Sequence, residues 1–560
     1  MTSAPTISRR SALRLLGSTA GVALAAACAP APQAPPPQAP APTPKPAAPP
    51  TSAPPAAAVP TSPPAAAVVV TQVPQSAAPQ PRSGGTLRAA LTGDLPNLDP
   101  HINTTTAHEN LFLAFDRIIQ YDDQLHPQPM LAESWDLSTD LRQIKFNLRK
   151  GVQWHTGREF TSDDVKWNLL RVRDPKSPSV GFRNQSNWFT TIETPDKNSI
   201  ILKSEQPRPA LFDLFEYLNI IDPLTMEGPE AKLKAVGTGP FVFSEWAQGD
   251  HILLTKNRNY WQTGRPYLDE VRVSILKDAQ AMVAQLEGGA VDLIKAPPLR
   301  DAARLKADTQ YKVVTHPASA QHFQQGVNTL VPPLDNKKVR QALNYALDRK
   351  RFSDTALLGT GQPIALPWLP SSPAYDAQKR NAFAFDLDKA KSLLNEAGVS
   401  NLSFEFLPLG DYPELTQMAQ IYQNDLAKIG VTISIKNLES AAFYDSVNGR
   451  KYQGLYSTPN TYAQVEPLTI FTTSRVFDPN SNNSGFRTDA YVKLIDEAGS
   501  EPDAAKRRQL YVALNDLLLD ESFSMILVEF RPQLLTRSTV NDVGHTLHEA
   551  FSYTNTWLSA

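Results

Sequence analysis

The 560-residue chain contains one cysteine, Cys28, and no run of five or more consecutive basic residues. A single thiol forms no intramolecular disulfide, which excludes a small disulfide-held scaffold, and a Cys-ligated metal or dithiol redox centre has nothing to build from. Neither a G-x-x-x-x-G-K-S/T loop nor a G-x-G-x-x-G turn after a strand occurs, so the usual backbone cradles for phosphate are absent. There is no G-x-S-x-G elbow. His108-Glu109 opens like a helical zinc-protease motif, but Phe112 stands where the second imidazole would have to be. Beyond residue 82 there are 49 basic residues against 56 acidic ones, a net charge of about −7. That sign lacks the overall basicity that binding to a phosphate backbone favours, so nucleic acid is not an expected partner.

What the chain has instead begins with a leader. Ser8-Arg9-Arg10-Ser11-Ala12-Leu13-Arg14 resembles a twin-arginine export signal, and a weakly apolar run from Leu15 to Ala27 follows it. That run is shorter than the roughly 20 apolar residues that cross a bilayer, and its basic flank and small-residue end fit a cleaved leader. Cys28 follows Ala25-Ala26-Ala27 directly, where lipoprotein processing would leave it as an acylated N-terminus. Between Pro30 and Pro81 lie 19 of the chain's 49 prolines, and the only charged residue among them is Lys45. Such a segment buries too little apolar surface to repay ordering and favours extended polyproline conformers. Residues 29–82 are therefore read as a tether, whose fully extended reach is on the order of 160 Å.

Beyond Gly84, strand-like runs alternate with amphipathic helices, which predicts a mixed α/β body. Leu402, Phe404 and Phe406 alternate as a half-buried strand. Leu415, Met418, Tyr422 and Ile429 follow a helical stripe ending at Gly430, and Val431, Ile433 and Ile435 resume the period of two. A strand, a helix and a second strand in this order make a βαβ unit with parallel strands. Val339 to Leu347 and Leu387 to Ala397 predict two more core-facing helices. Thr161-Ser162-Asp163-Asp164 reads as a helix start, with its acidic groups at the positive helix end and not as a catalytic pair. His155 is expected in a turn with a structural role, and His545 and His548 on the surface, so no metal site or cofactor is expected.

Several longer motifs occur in a fixed order: Gly85-Thr86-Leu87-Arg88, Leu98-Asp99-Pro100, Leu131-Ala132-Glu133-Ser134-Trp135, Phe146 to Val152, Gly237-Thr238-Gly239-Pro240-Phe241, Lys256 to Trp261, Gly264 to Asp269, Val339 to Asp348, Ala390 to Gly398, and Asn483-Ser484-Gly485-Phe486. In this order the chain, from about Gly84 to its end, resembles the extracytoplasmic solute-binding proteins, family 5, of bacterial ABC importers, the group with oligopeptide-, dipeptide- and nickel-binding members. The resemblance implies a periplasmic-binding-protein-like α/β fold with two hinged lobes and an extra domain. The expected division is 1–28 export signal, 29–82 tether, 83–128 first lobe, 129–236 extra domain, 237–329 first lobe, 330–533 second lobe and 534–560 first lobe. Hinge strands are expected near 323–331 and 529–535. The implied function is capture of a small peptide-like or other polar solute between the lobes and its delivery to a membrane permease, without catalysis, by an extracytoplasmic, lipid-anchored monomer.

Peptide binders of this family hold the ligand's α-ammonium with an aspartate four residues before a proline. In Asn460-Thr461-Tyr462-Ala463-Gln464-Val465-Glu466-Pro467 the matching position is Ala463. Alanine supplies no charge, so an ammonium would need Glu466 or another acid, because a buried unpaired cation is costly. Tyr462 and Gln464 offer stacking and hydrogen bonds to a neutral polyhydroxy or amide ligand. Asn110, Gln321, His322, Trp368 and Arg487 are the other expected ligand contacts. Two alternatives use the same scaffold differently: an envelope hydrolase, and a sensory or chaperone module without transport.

Overall fold

A computed structural model describes residues 80–102, 112–176, 180–228, 234–317, 321–460, 466–546 and 551–560. The export signal, Cys28, tether residues 29–79, His108, Asn110, Tyr462, Ala463, Gln464 and His548 lie outside the described residues. Residues Ala77–Ala560 form one unit, whose described residues build sheets of seven, six and four strands and three two-stranded ones.

The alternation seen at Leu402, Phe404 and Phe406 becomes the strand Leu402–Pro408, and the helical stripe becomes the helix Pro413–Ala427 with Leu415, Met418, Tyr422 and Leu426 buried. Gly430 takes a φ of 78°, a left-handed turn that a side chain resists, and the chain returns as the strand Val431–Ile435. The two strands pair in parallel, with Phe404 opposite Ile433 and Phe406 opposite Ile435, which is the expected βαβ unit. It is part of a six-stranded sheet in the order Gln362–Pro363, Ser524–Glu529, His322–Val327, Gly454–Asn460, Leu402–Pro408, Val431–Ile435. The helices Lys337–Tyr345 and Leu387–Glu396 bury Val339, Ala342, Leu343, Ala390, Leu393 and Leu394 in the core of this second lobe. A separate cluster around Trp368, Phe471, Tyr491, Phe523 and Ile526 forms its other part.

A seven-stranded sheet makes the first lobe, in the order Tyr311–Thr315, Gln533–Arg537, Leu293–Lys295, Thr86–Leu91, Glu270–Ile275, His251–Lys256, Phe241–Ala247. Its middle strand, Thr86–Leu91, comes from the start of the folded chain and runs parallel to both neighbours. The extra domain is a four-stranded antiparallel sheet in the order Ala132–Leu137, Gln143–Leu148, Ser199–Ser204, Phe189–Asp196, covered by the helices Ser162–Arg173 and Leu211–Tyr217. The first of these starts as expected: the Thr161 N–H donates to Asp164 Oδ2 at 2.9 Å, and Asp164 pairs with Arg158 at 2.8 Å.

Gly237-Thr238-Gly239 joins this domain to the first lobe. A Cβ on Gly237 would lie 2.0 Å from the Ala114 carbonyl oxygen and one on Gly239 2.5 Å from the Ala114 carbonyl carbon, so only glycine lets the two backbones touch. Between these glycines Thr238 Oγ1 donates to Asp116 Oδ2 at 3.0 Å, beside Trp261 Nε1 at 2.9 Å, while the Tyr260 hydroxyl donates to Asp116 Oδ1 at 3.2 Å. The Tyr260-Trp261 pair therefore packs as expected and also satisfies a buried carboxyl, which burial pushes above the usual carboxylate range. His155 sits in the expected turn with Nε2 3.1 Å from the Gly239 carbonyl oxygen; burial pulls its imidazole down to about 4, a neutral structural group at physiological pH.

The places where the chain passes between lobes differ from expectation at one of two points. His322–Val327 is hydrogen-bonded on both sides into the six-stranded sheet and buried at every residue, so it belongs to the second lobe and not to a hinge at 323–331. The first passage falls between the strands Tyr311–Thr315 and His322–Val327, ahead of the 329/330 boundary read from the sequence. The second, residues 530–532, falls between Ser524–Glu529 and Gln533–Arg537, inside the expected 529–535.

Candidate functional site

Strands Leu402–Pro408 and Gly454–Asn460 are parallel, and their carboxyl ends lie where His322–Val327 begins and Ser524–Glu529 finishes. In open α/β sheets, ligands gather at the carboxyl ends of strands, where loops diverge and backbone groups are free to point outward. Both passages to the first lobe leave from this same end. They are tied together: the Phe530 N–H donates to the Gln321 carbonyl at 2.9 Å and the His316 N–H to the Pro532 carbonyl at 3.0 Å. Phe530 stacks on Phe323 at 4.3 Å with an interplanar angle of 14°, fixing the second passage against the second lobe's core.

A polar row crosses the sheet at this end. Gln362, Glu529, His322 and Asn460 are register partners on four adjacent strands, so their side chains share one face. His322 and Glu529 are buried, and Glu529 receives Arg380 Nη2 at 2.9 Å and lies 3.4 Å from Arg531 Nε. Asn460 Nδ2 donates to Ser474 Oγ at 3.4 Å. Residues 461–465 follow Asn460 directly in the chain.

The extra domain meets the second lobe through the helix Leu211–Tyr217. Ala210 packs in the cluster of Trp368 and Leu468, and Asp213, on the first turn of that helix, is fully buried. Asp213 Oδ1 accepts from the Tyr121 hydroxyl at 2.9 Å and the Glu466 N–H at 3.3 Å, and Oδ2 accepts from the Thr469 hydroxyl. Glu466 Oε1 in turn accepts from the Tyr511 hydroxyl and lies 3.8 Å from Arg507 Nε. Burial pushes Asp213 well above the usual carboxylate range, and the nearby Glu466 adds to this. Burial raises Glu466 to about 7 against the opposing charge of Arg507. Glu466, the acid at hand to replace the missing charge at 463, is thus turned toward protein partners.

Of the expected contact residues, Gln321 and His322 come together where the chain passes between lobes. Trp368 is buried against Phe471, and its indole N–H donates to Asn515 Oδ1 at 2.6 Å, so its polar edge is occupied inside the second lobe. Arg487 is exposed and donates to Asn480 Oδ1 at 2.5 Å. The Asp213, Thr469 and Glu466 contact was not anticipated. Its one signal in the sequence is an acid inside the apolar run Leu211-Phe212-Asp213-Leu214-Phe215. Among the described residues no group of three or more His, Cys, Asp or Glu side chains is arranged to hold a metal ion, and no helix is long and apolar enough to cross a membrane.

Comparison with known proteins gives this geometry its context. Residues 126–482 match the family model described as bacterial extracellular solute-binding proteins, family 5 Middle. The chain is 30% identical over 419 residues to heme-binding protein A of Haemophilus influenzae, covering 69% of this chain and 75% of that protein. It is 27% identical over 450 residues to the glutathione-binding protein GsiB of Escherichia coli (strain K12), covering 77% of this chain and 86% of GsiB. Among solved structures it resembles the binding protein AgaA of A. tumefaciens R10 in complex with agropinic acid, with a TM-score of 0.75, 26% identity, and coverage of 85% of this chain and 99% of AgaA. With the two lobes, the extra domain and the paired passages in place, the chain belongs to the bacterial extracellular solute-binding proteins, family 5, the extracytoplasmic receptors of ABC import systems.

Proposed function

We propose that this receptor captures a polar, peptide-like solute at the carboxyl end of the six-stranded sheet, between the Gln362, Glu529, His322 and Asn460 row and the two other domains, and releases it unaltered to its permease. The observation that carries this reading is the pairing of the two passages, Gln321 with Phe530 and His316 with Pro532. The lobes are joined there by short adjacent segments, the arrangement a hinge needs. Two relatives are named for heme and glutathione and AgaA is in complex with agropinic acid, so the scaffold accommodates unlike ligands and local residues select among them. Ala463 argues against a ligand held by its α-ammonium at that position, and Glu466, committed to Tyr511, does not replace the charge.

The proposal extends to the N-terminal segment. Cys28 carries a lipid after cleavage of the twin-arginine-type leader, and residues 29–82 hold a monomeric receptor away from the membrane surface. Mass spectrometry of small molecules released by denaturing the purified protein tests the capture reading. An intact polar solute supports it, and a chemically changed product after incubation with candidate solutes overturns it in favour of a hydrolase. Metabolic labelling with a palmitate analogue tests the anchor, which requires labelling of the wild type and none of Cys28→Ser.

A further inference from the structure

We propose that lobe closure takes up a proton at the Asp213 and Glu466 pair, so that this receptor closes more tightly in acidic surroundings. The inference rests on the capture reading above and extends it to regulation of the same closure. Asp213 belongs to the extra domain, through a helix whose Leu211, Leu214 and Phe215 lie in that domain's core. Thr469 and Glu466 belong to the second lobe, where neighbouring Leu468, Ile470 and Phe471 are core residues. Their hydrogen bonds to Asp213 therefore form only when the two bodies meet, and the Asp213 carboxyl loses water at that moment, whereas the Glu466 carboxyl faces Tyr511 and Arg507 of its own lobe.

The groups facing the pair set its charge balance. Asp213 is met by the Tyr121 hydroxyl, the Thr469 hydroxyl and the Glu466 N–H, and on its own helix by Glu216, which pairs with Arg117 at 2.7 Å and which burial raises to about 7. Glu466 is met by the Tyr511 hydroxyl and by Arg507 at 3.8 Å. One cation thus faces two buried carboxyls, of which Glu466 raises Asp213, and two such groups do not both ionise without a large cost. Once the domains part, water reaches Asp213, which then titrates near its ordinary value of roughly 4.

The direction of the effect follows. Above that open-state value, with the buried Asp213 held well above the usual carboxylate range, the closed form binds more protons than the open form. Acidification from pH 8 to pH 5 therefore shifts the population toward closure, and the advantage disappears as the pH rises through the closed-state value of Asp213. For one proton the closed-to-open ratio changes by at most roughly tenfold per pH unit within that window.

The test is small-angle scattering of the ligand-free full chain from pH 5 to pH 8, with Glu466→Gln and Asp213→Asn alongside. The expected result is a smaller radius of gyration at pH 5 than at pH 8 in the wild type, and a flattened pH response in both variants. A pH-independent radius in the wild type, or an unchanged response in both variants, overturns the proposal. The same series with the small-molecule fraction released from the purified protein added back separates the two readings. Compaction by that fraction without any effect of pH sinks proton coupling alone, whereas no compaction under any condition sinks capture as well.

Discussion

The Phe530 N–H donates to the Gln321 carbonyl at 2.9 Å, and this bond binds the chain's two passages between lobes into one narrow strap. The Phe530 ring then stacks on Phe323 of the second lobe at 4.3 Å, so the strap is anchored on that lobe's core. Bending at such a strap changes a few backbone dihedrals and leaves both sheets intact. Phe530→Ala removes the stack while sparing the backbone bond. The expected loss is about 2 kcal/mol of unfolding free energy, measured by urea denaturation, with a changed lobe angle in solution scattering.

At the other junction, Gly239→Ala would place a methyl group 2.5 Å from the Ala114 carbonyl carbon, closer than any real contact, with backbone on both sides and nothing flexible to yield. The extra domain must shift away from the first lobe or the protein must unfold. The expected fall in stability exceeds roughly 3 kcal/mol, read as a lowered denaturation midpoint or loss of soluble protein, whereas Gly93→Ala, where a Cβ meets nothing within 4 Å, changes little.

Asp116 gathers three donors from Thr238, Tyr260 and Trp261 in the core of that junction. Asp116→Ala leaves three buried donors unsatisfied, and the expected cost is about 3 kcal/mol or more. Asp116→Asn keeps the shape and one acceptor and loses less. Because burial raises this carboxyl in the folded state, the wild type's advantage over Asp116→Asn is largest in acid and shrinks as rising pH forces ionisation, which thermal melts across pH 4 to 8 would read.

The ligand prediction concerns position 463. Ala463→Asp supplies the carboxylate that family members use for a peptide's α-ammonium, so binding of an unmodified dipeptide should tighten at least tenfold relative to the same dipeptide acetylated at its N-terminus. Calorimetric titration with the two peptides decides it, and equal affinities for both would show that position 463 does not face the ligand's amine.

Much of the architecture is legible before any coordinates. Leu402, Phe404 and Phe406 alternate because one face of their strand is buried, and Leu415, Met418 and Tyr422 recur at helical spacing because one face of their helix packs on it; both patterns survive in the folded lobe. The passage between lobes is harder to read. His322–Val327 is buried on both faces, with Gln324 and Gln325 inside, so no period of two marks it as a central strand, and a hinge was expected where a core strand lies. Trp368 shows the converse: an aromatic in a loop is compatible with a ligand contact until Asn515 is found at its indole nitrogen.

The amino-acid order alone determined the sequence of elements, their faces and the βαβ unit, since these depend on neighbours within a few positions along the chain. The meeting of Asp213 with Thr469 and Glu466, more than 250 positions apart, the three donors on Asp116, and the strap of Gln321 with Phe530 were decided only by tertiary structure. Those contacts depend on where separate domains come to rest, and a carboxyl's charge state depends on the water excluded when they do.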